Sequence, residues 1–252
     1  MSPIRAFNPG RRRALERGYS MIELSVAVLI ALFLLSGMFM ILQNTKKTSL
    51  NQSGLAQLQE EERVAMTMMT DVIQEAGYYA RPDQTTTAAT FLSDSLFSTN
   101  GQYIAGTGAA GNSVISVRYQ GDTTGTVLDC LGSTIANGIN EDMTFFVQAG
   151  QNNNGAMELF CAVNGNTANA VPLVPYVQSL SILYGVDSTA SGSANTYVQA
   201  SSVTNWANVY SVNLQVTFLN PLYPQPGQIQ YLTFSRVIGI MAMNGANARK
   251  FY

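Results

Sequence analysis

The feature that most constrains this chain is a run of 19 uncharged, mostly apolar residues at positions 24–42. As an α-helix, such a run extends about 28 Å at ~1.5 Å per residue, close to the ~30 Å hydrocarbon core of a bilayer. The run therefore predicts a transmembrane helix. Glu23 stands immediately before it, and a carboxylate there needs a partner, because an ionised acid at the centre of a bilayer costs roughly 2.5–3.5 kcal/mol.

The segment before the run, residues 1–18, is basic. It carries five arginines against one glutamate, a net charge of 5 − 1 = +4, and has no apolar core of its own. A secretory signal peptide has its apolar region inside the removed part, followed by a small-residue cleavage site. Here the basic part ends at Gly18, before the apolar part begins. From hydropathy alone, one interpretation is an uncleaved signal anchor whose basic end stays in the cytoplasm.

Residues 18–24, Gly-Tyr-Ser-Met-Ile-Glu-Leu, resemble the processing site of type IV prepilins, a class III signal sequence. In that family a membrane enzyme, the prepilin peptidase, cleaves after the glycine on the cytoplasmic side, and the new N-terminal residue is usually methylated. The resemblance implies that Gly18 precedes the scissile bond, that Tyr19 becomes the N-terminus and that Glu23 is the family's fifth-position acid. Because the commonest first residue in the family is Phe, Tyr19 departs from the pattern, which bears on methylation and not on cleavage.

An amine freed at Tyr19 would give Glu23 a partner. In a filament of staggered parallel helices, the carboxylate of one subunit can pair with the amine of its neighbour, which converts a membrane cost into a drive for assembly. The alternative is that the Glu23 side chain extends to the lipid headgroups from the end of the helix and has no further role.

Helical periodicity resumes after residue 47. Apolar residues at i, i+3, i+4 and i+7 spacing continue to Ala76, and Gly77 stands where a helix commonly ends. The stripe consists of Leu55, Leu58, Ala65, Met69, Val72 and Ala76. No proline lies between positions 19 and 81, so one helix can include both parts. The predicted stem has a transmembrane half at 19–47 and an amphipathic half at 48–80.

Residues 81–252 predict a β-rich globular domain. The polar stretch 81–112 predicts a long loop with one short helical turn near 91–96, and 188–205 predicts a second polar loop. Between and after these loops, alternating apolar residues predict strands at 113–120, 143–148, 157–163, 177–186, 211–218 and 229–243. The predicted fold is α+β, with a long N-terminal helix packed on an antiparallel β-sheet.

Composition excludes several classes of function. Without the basic segment, 8 of the 13 Lys and Arg and 14 of the 15 Asp and Glu remain, a net charge of 8 − 14 = −6, which argues against a nucleic-acid surface. The chain contains no histidine, so His-dependent catalytic and zinc sites are excluded. Glu141 and Asp142 form an acidic pair, but adjacent acids in a turn are usually solvated. We therefore predict neither an enzyme nor a cofactor.

Cys130 and Cys161 lie in the part predicted to be outside the inner membrane. In an oxidising compartment an even number of cysteines predicts a disulfide, and the alternative is two separate buried thiols. Oxygen ligands for calcium are also present at Asp122, Asp129, Asp187 and 152–154. No spaced loop signature supports a calcium site, so no metal is predicted.

The second half of the chain adds to the resemblance. A strand ending in Tyr184-Gly185, a Tyr-Val-x-Ala stretch at 197–200 and a Trp-x-x-Val segment from Trp206 are similar to a series found in PilW-type minor pilins. The resemblance implies a pilin-like fold in a single-pass protein of the bacterial inner membrane with a periplasmic C-terminal domain. Such a protein primes type IV pilus assembly and joins the tip of the filament on the cell surface. Whether that pilus serves twitching motility, adhesion or DNA uptake stays open. Its implied partners are the prepilin peptidase, other minor pilins, the major pilin, inner-membrane lipid and a non-pilin tip adhesin.

Two further functions remain open. The same fold could serve as a pseudopilin of a type II secretion system, although the motifs of the second half disfavour that function. The other is a signal-anchored tip adhesin or ligand-binding module that uses the loops at 81–112 and 188–205. Trp206 and Tyr197 would then be contact residues, although both are more readily interpreted as core anchors.

Overall fold

The computed structural model describes residues 18–150 and 155–243. The chain divides into two compact units, one up to Leu50 and one from Asn51. Helix α1, Met21–Gln74, contributes residues to both units. The predicted basic segment 1–17 and the candidate ligands at 152–154 lie outside the described residues.

In the first unit, α1 presents its apolar side chains on all sides. Leu24, Phe33 and Leu42 are 64%, 78% and 65% exposed within the chain. Among the described residues, α1 is the one helix long and apolar enough to cross a membrane, and the protein buries none of its most apolar 18-residue window. A core helix of a soluble domain would be mostly buried, so this segment can anchor the chain in a membrane.

In the second unit, α1 buries one stripe against the core, as its periodicity predicts. The buried residues within the helix are Leu58, Ala65, Met66, Met69, Val72 and Ile73. Leu55, at the start of the predicted stripe, stays 37% exposed. The helix ends at Gln74, three residues before the predicted end at Gly77, which has a positive φ of 81°.

The first sheet is an antiparallel meander of five strands in chain order. Its strands are β1 (Ile104–Thr107), β2 (Val114–Gln120), β3 (Asn140–Ala149), β4 (Met157–Val163) and β5 (Val171–Pro175). The sequence predicts β2, β3 and β4, whereas β1 lies in the stretch predicted as a loop and β5 was not predicted. The short helix of that stretch, α2, is Thr87–Thr90, so its predicted position near 91–96 was wrong.

The second sheet has four strands in the order β7-β6-β8-β9. These are β6 (Val177–Val186), β7 (Thr196–Val198), β8 (Val209–Leu219) and β9 (Tyr231–Gly239), and three short 3₁₀ turns lie at Thr167–Asn169, Ala200–Ser202 and Trp206–Asn208. The predicted alternation of β8 is confirmed, because Val212, Leu214, Val216 and Phe218 are all fully buried. β9 is shorter than the predicted range 229–243.

The domain therefore has two sheets where the sequence predicts one. The chain leaves the first sheet at Tyr176, which lies between β5 and β6 and has a positive φ of 58°. The sheets are joined by hydrogen bonds near Ser113: its N–H donates to the Leu180 carbonyl at 2.9 Å, and its Oγ accepts from the Ile182 N–H at 3.1 Å. Both sheets and the second part of α1 share one buried apolar core.

Candidate processing and assembly segment

The predicted cleavage site lies immediately before the first turn of α1. Residues 18–20 are not helical and are exposed, and Tyr19 is 88% exposed. An exposed, non-helical backbone is the conformation in which a peptide bond is most open to a protease. Within residues 18–150 and 155–243, the Gly18–Tyr19 bond is therefore accessible.

Gly18 has open space around it. A Cβ built at this position would meet no atom within 4 Å. The fold of the described residues thus tolerates a larger side chain at position 18. Any strict requirement for glycine there must come from whatever binds this segment.

Glu23 is in the first turn of α1 and makes a local hydrogen bond. The backbone N–H of Ser20 donates to Glu23 Oε2 at 3.2 Å. This is half of a capping box, in which the residue three positions into the helix returns to the N-cap residue. The negative charge also opposes the positive end of the helix dipole. The Ser-x-x-Glu pattern of residues 20–23 is the sequence signal for this role.

The disulfide predicted from the two cysteines is confirmed. Cys130 and Cys161 are joined, with Cα atoms 6.5 Å apart, and both are almost completely buried. The bond ties the loop between β2 and β3 to β4, where Cys161 lies in the core. The same loop is held by the Tyr119 hydroxyl, which donates to the Leu128 carbonyl at 2.6 Å. In the chain-entropy model a disulfide that closes a loop of this length stabilises by about 3.5–4 kcal/mol.

The candidate calcium ligands are engaged separately in their own loops. Asp122 accepts hydrogen bonds from the N–H groups of Thr124 and Gly125, and Asp129 accepts from those of Leu131 and Ser133. No group of three Asp, Glu, Cys or His residues that could hold a metal ion occurs within residues 18–150 and 155–243.

Asp187 is buried and is surrounded by donors from the loop that follows it. Burial alone would raise the pKa of its carboxyl, but hydrogen bonds from the N–H groups of Gly192, Ser191 and Thr189 outweigh it and lower the pKa to about 2. Asp187 therefore organises its own loop as an ionised acceptor.

Arg118, which no sequence motif marks as functional, holds the loop 81–112. It is 3% exposed; its Nε donates to the Gln102 carbonyl at 2.6 Å, and one terminal nitrogen donates to Asp94 Oδ2 at 3.0 Å. Its guanidinium lies 4.3 Å from the Phe97 ring centroid, within cation–π range. Burial lowers the pKa of Arg118, although the Asp94 carboxylate opposes this effect. The loop is thus fixed to β2 through a buried cation.

The acidic pair at 141–142 lies at the start of β3, and Asp142 is opposite Arg118 in the sheet register. Burial and the nearby Asp94 carboxylate raise the pKa of Asp142 to about 6, while Arg118 opposes them. Burial also raises the pKa of Glu141. The prediction that these adjacent acids are solvated was therefore wrong, because both are partly buried.

The two aromatic residues considered as ligand contacts differ in their surroundings. Trp206 packs edge-on against Tyr184, with ring centroids 4.9 Å apart, and contacts the core. Tyr197 is 41% exposed, and its hydroxyl shares a 3.0 Å hydrogen bond with Ser211 Oγ. Trp206 is therefore an anchor of the second sheet, and Tyr197 is available at the surface.

An apolar cavity of about 530 Å³ lies beyond the end of α1. Its lining includes Tyr78, Tyr79, Pro82, Tyr103 and Met241. Its volume falls within the ~300–1,000 Å³ range of small-molecule sites. The cavity gives the ligand-binding alternative a location that the sequence analysis did not predict.

One comparison with known proteins found a match to a family of the type IV pilus. A family model described as "Type IV Pilus-assembly protein W" matches residues 144–233. The match supports a type IV pilus-related protein. It extends from β3 into β9 and excludes α1, so it is independent of the prepilin-like segment at 18–24. Neither the curated proteins nor the solved structures contain a match to the chain.

Proposed function

We propose that this chain is a minor pilin. In this proposal, prepilin peptidase cleaves between Gly18 and Tyr19, residues 24–42 retain the subunit in the inner membrane, and the subunit then joins other minor pilins at the tip to prime pilus assembly. Its work is binding, with no catalytic step. The pilus would be the component through which the cell moves, adheres or takes up DNA.

The observation that carries the proposal is the agreement of two separate parts of the chain. An exposed Gly-Tyr-Ser segment precedes a helix that is apolar on all sides, and the pilus-assembly family match covers a part of the chain that excludes both. A signal-anchored protein of another kind would need the apolar helix but not the match. A type II secretion pseudopilin would share the helix, and the match favours the pilus over it.

The test is the N-terminal sequence and intact mass of the membrane-extracted protein, produced with and without prepilin peptidase. We expect a chain that starts at Tyr19 only when the peptidase is present, and the mass will also show whether Tyr19 is methylated. Gly18→Val should abolish cleavage without disturbing the fold, because position 18 has open space around it. Gly37→Val is the matched control, since it makes the same change at another glycine with open surroundings in the same segment.

Retention of residues 1–18 under all conditions would contradict the proposal. The chain would then be a signal-anchored periplasmic domain, and the adhesin or ligand-binding function would become the better explanation. Cleavage of Gly18→Val at the wild-type rate would place the processing site elsewhere.

A further inference from the structure

Among the described residues, four strands lie at sheet edges, and three of them are poorly suited to pair with another strand. β1 has four residues and β7 has three. β5 has five residues, of which Pro172 and Pro175 lack an N–H group, and its pairing with β4 contains a register shift. Short strands, prolines and bulges are the usual means by which proteins block unwanted pairing at sheet edges.

β9 is the exception. It has nine residues, Tyr231–Gly239, contains no proline and pairs with β8 in an unbroken register. Arg236 is its only charged residue. Its other side is not paired with any strand among the described residues. A long, regular and nearly uncharged edge is a template for a further strand.

The register identifies the backbone groups that this edge offers. Ile240 N–H donates to the Tyr210 carbonyl at 3.0 Å, and Asn220 N–H donates to the Gln230 carbonyl at 2.9 Å. In an antiparallel ladder, hydrogen-bonded and non-hydrogen-bonded pairs alternate along the strands. The backbone N–H and C=O groups of the even-numbered residues of β9 therefore point toward β8. The N–H and C=O groups of the odd-numbered residues therefore point outward.

These outward groups have no hydrogen-bond partner within residues 18–150 and 155–243. They belong to Tyr231, Thr233, Ser235, Val237 and Gly239, of which the first four have exposed side chains. Tyr231 and Val237 are 40% and 58% exposed, and aromatic and β-branched residues of this kind favour cross-strand packing. The edge thus offers both backbone pairing and apolar contact.

We propose that the β9 edge binds an extended strand of a different polypeptide, which carries an Asp or Glu opposite Arg236. The Arg236 guanidinium donates to the neutral Thr70 hydroxyl at 3.3 Å, and no described carboxylate forms an ion pair with it. A carboxylate on the incoming strand would complete a cross-strand charge pair. A second copy of β9 cannot supply it, because the strand contains no acidic residue.

This inference rests on the proposed function in one respect: the strand is expected from a neighbouring subunit of the assembly. Main-chain hydrogen bonds would provide the affinity, and the side chains on alternate positions would provide the selectivity. Adding a strand to β9 would extend the second sheet across the subunit boundary.

The test compares residue-resolved amide hydrogen exchange in two samples of the full-length chain. One sample is the isolated chain in detergent, and the other is the chain within assemblies purified together with the pilus subunits of the same cells. We expect exchange at Thr233, Ser235 and Val237 to slow by at least roughly tenfold in the assembly. The amides of Phe234 and Arg236, which bond to β8, should be slow in both samples.

Matched variants separate backbone pairing from side-chain effects. Ser235→Pro removes one outward N–H group, whereas Ser235→Ala keeps it, so only the proline variant should lose its place in the assembly. Exchange at β8 amides will show that the proline variant remains folded. Arg236→Glu leaves the backbone groups intact and should weaken association by roughly tenfold or more, with Arg236→Gln between it and the wild type.

Each result has a defined meaning. If the chain purifies with pilus subunits but exchange at β9 does not change, the inference fails while the proposed function stands. If the chain does not purify with them, the proposed function fails, and the inferred partner fails with it. If the β9 amides of the isolated chain are protected, and this protection increases with protein concentration, the bound strand comes from a second copy of the chain. That result would overturn the proposal of a different polypeptide.

Discussion

A single side chain, Glu23, has two possible roles: it caps its own helix, and in the proposed filament it pairs with a neighbouring subunit. Its carboxylate accepts the Ser20 N–H, so it already has a role within one subunit as a helix cap. The proposed role between subunits requires the same group to meet the amine of a neighbour. Capping needs only an acceptor oxygen, whereas pairing with an amine in a membrane needs a negative charge. The two roles can therefore be separated by one substitution.

Glu23→Gln keeps an acceptor oxygen for Ser20 but removes the charge. We expect this variant to be cleaved after Gly18 and to keep its helix. Because the loss of a charge pair in a membrane is costly, we expect it to enter filaments at least about tenfold less often than the wild type. The measurement is an immunoblot of sheared pili against the membrane fraction. Glu23→Ala, which removes both functions, provides the comparison. Normal incorporation of the glutamine variant would leave capping as the sole role of Glu23.

Asp142 provides a second prediction for one residue. Burial and Asp94 raise its pKa in the fold to about 6, above the ordinary value of 3.8. The folded state thus holds this proton more tightly than the unfolded state, so the contribution of Asp142 to stability decreases as pH rises from about 4 through 6. Asp142→Asn removes this dependence.

At pH 4 we expect Asp142→Asn to change the free energy of unfolding little. At pH 7.5 we expect it to raise the free energy of unfolding, relative to wild type, by up to about 1 kcal/mol. The increase is limited because solvent screens this partly exposed group. Denaturant unfolding of the full chain in detergent at the two pH values measures the difference. A substitution effect that is the same at both pH values would show that the environment of Asp142 does not perturb its titration.

Strands with a regular alternation of apolar and polar residues were predicted from the sequence. Strands that form only because a distant strand pairs with them were not. β8 alternates regularly between buried and partly exposed residues, and its period of two is visible in the sequence. β5 contains two prolines, which normally argue against a strand and are tolerated here because β5 is at an edge. β1 and β7 are too short to show a period.

The division into two sheets was also not predictable. β5 and β6 are separated by Tyr176 alone, yet they belong to different sheets because the backbone at this residue adopts a positive φ. Tyrosine has no preference for that conformation, so nothing in the local sequence indicates the break. The candidate site shows the reverse case, because the capping role of Glu23 was readable from residues 20–23 alone.

The end of α1 provides a prediction for an element boundary. Gly77 has a φ of 81°, and a Cβ built there would lie 2.8 Å from Cγ of Tyr103. Gly111 has a φ of 90° but open space around its Cβ position. Gly111→Ala therefore introduces backbone strain alone, whereas Gly77→Ala introduces strain and a collision.

We expect Gly111→Ala to reduce the free energy of unfolding by about 1 kcal/mol and Gly77→Ala by about 1–3 kcal/mol more. The difference measures how closely the end of the helix packs on the first sheet. Chemical denaturation of both variants against wild type gives the two values. Equal losses would mean that Tyr103 moves aside at no cost.

For the whole molecule, the segment that can be held in a membrane and the buried core of the globular domain lie in different parts of the chain. Every residue of the buried core lies at or after Leu58, and the described residues up to Leu50 contribute none. The first unit therefore contributes only an apolar helix that can anchor the chain in a membrane, and the second unit contains what a globular domain needs to fold: one core, two sheets and a disulfide. Under the proposed function, we therefore expect the subunit to keep its globular fold when it is extracted from the bilayer.

Two truncations test this separation when each is exported with a cleavable secretory leader. A chain that begins at Asn51 retains the whole buried stripe of α1, so we expect it to be soluble, to form the Cys130–Cys161 bond and to unfold cooperatively. A chain that begins at Arg81 lacks that stripe and leaves the facing core exposed to water. Each large apolar side chain of the stripe contributes about 1.5–3 kcal/mol on burial, so their summed loss is comparable to the ~5–15 kcal/mol stability of an ordinary domain. We expect it to be degraded or aggregated. Circular dichroism melts and thiol titration distinguish the two, and cooperative unfolding of the shorter chain would show that the sheets do not need the helix.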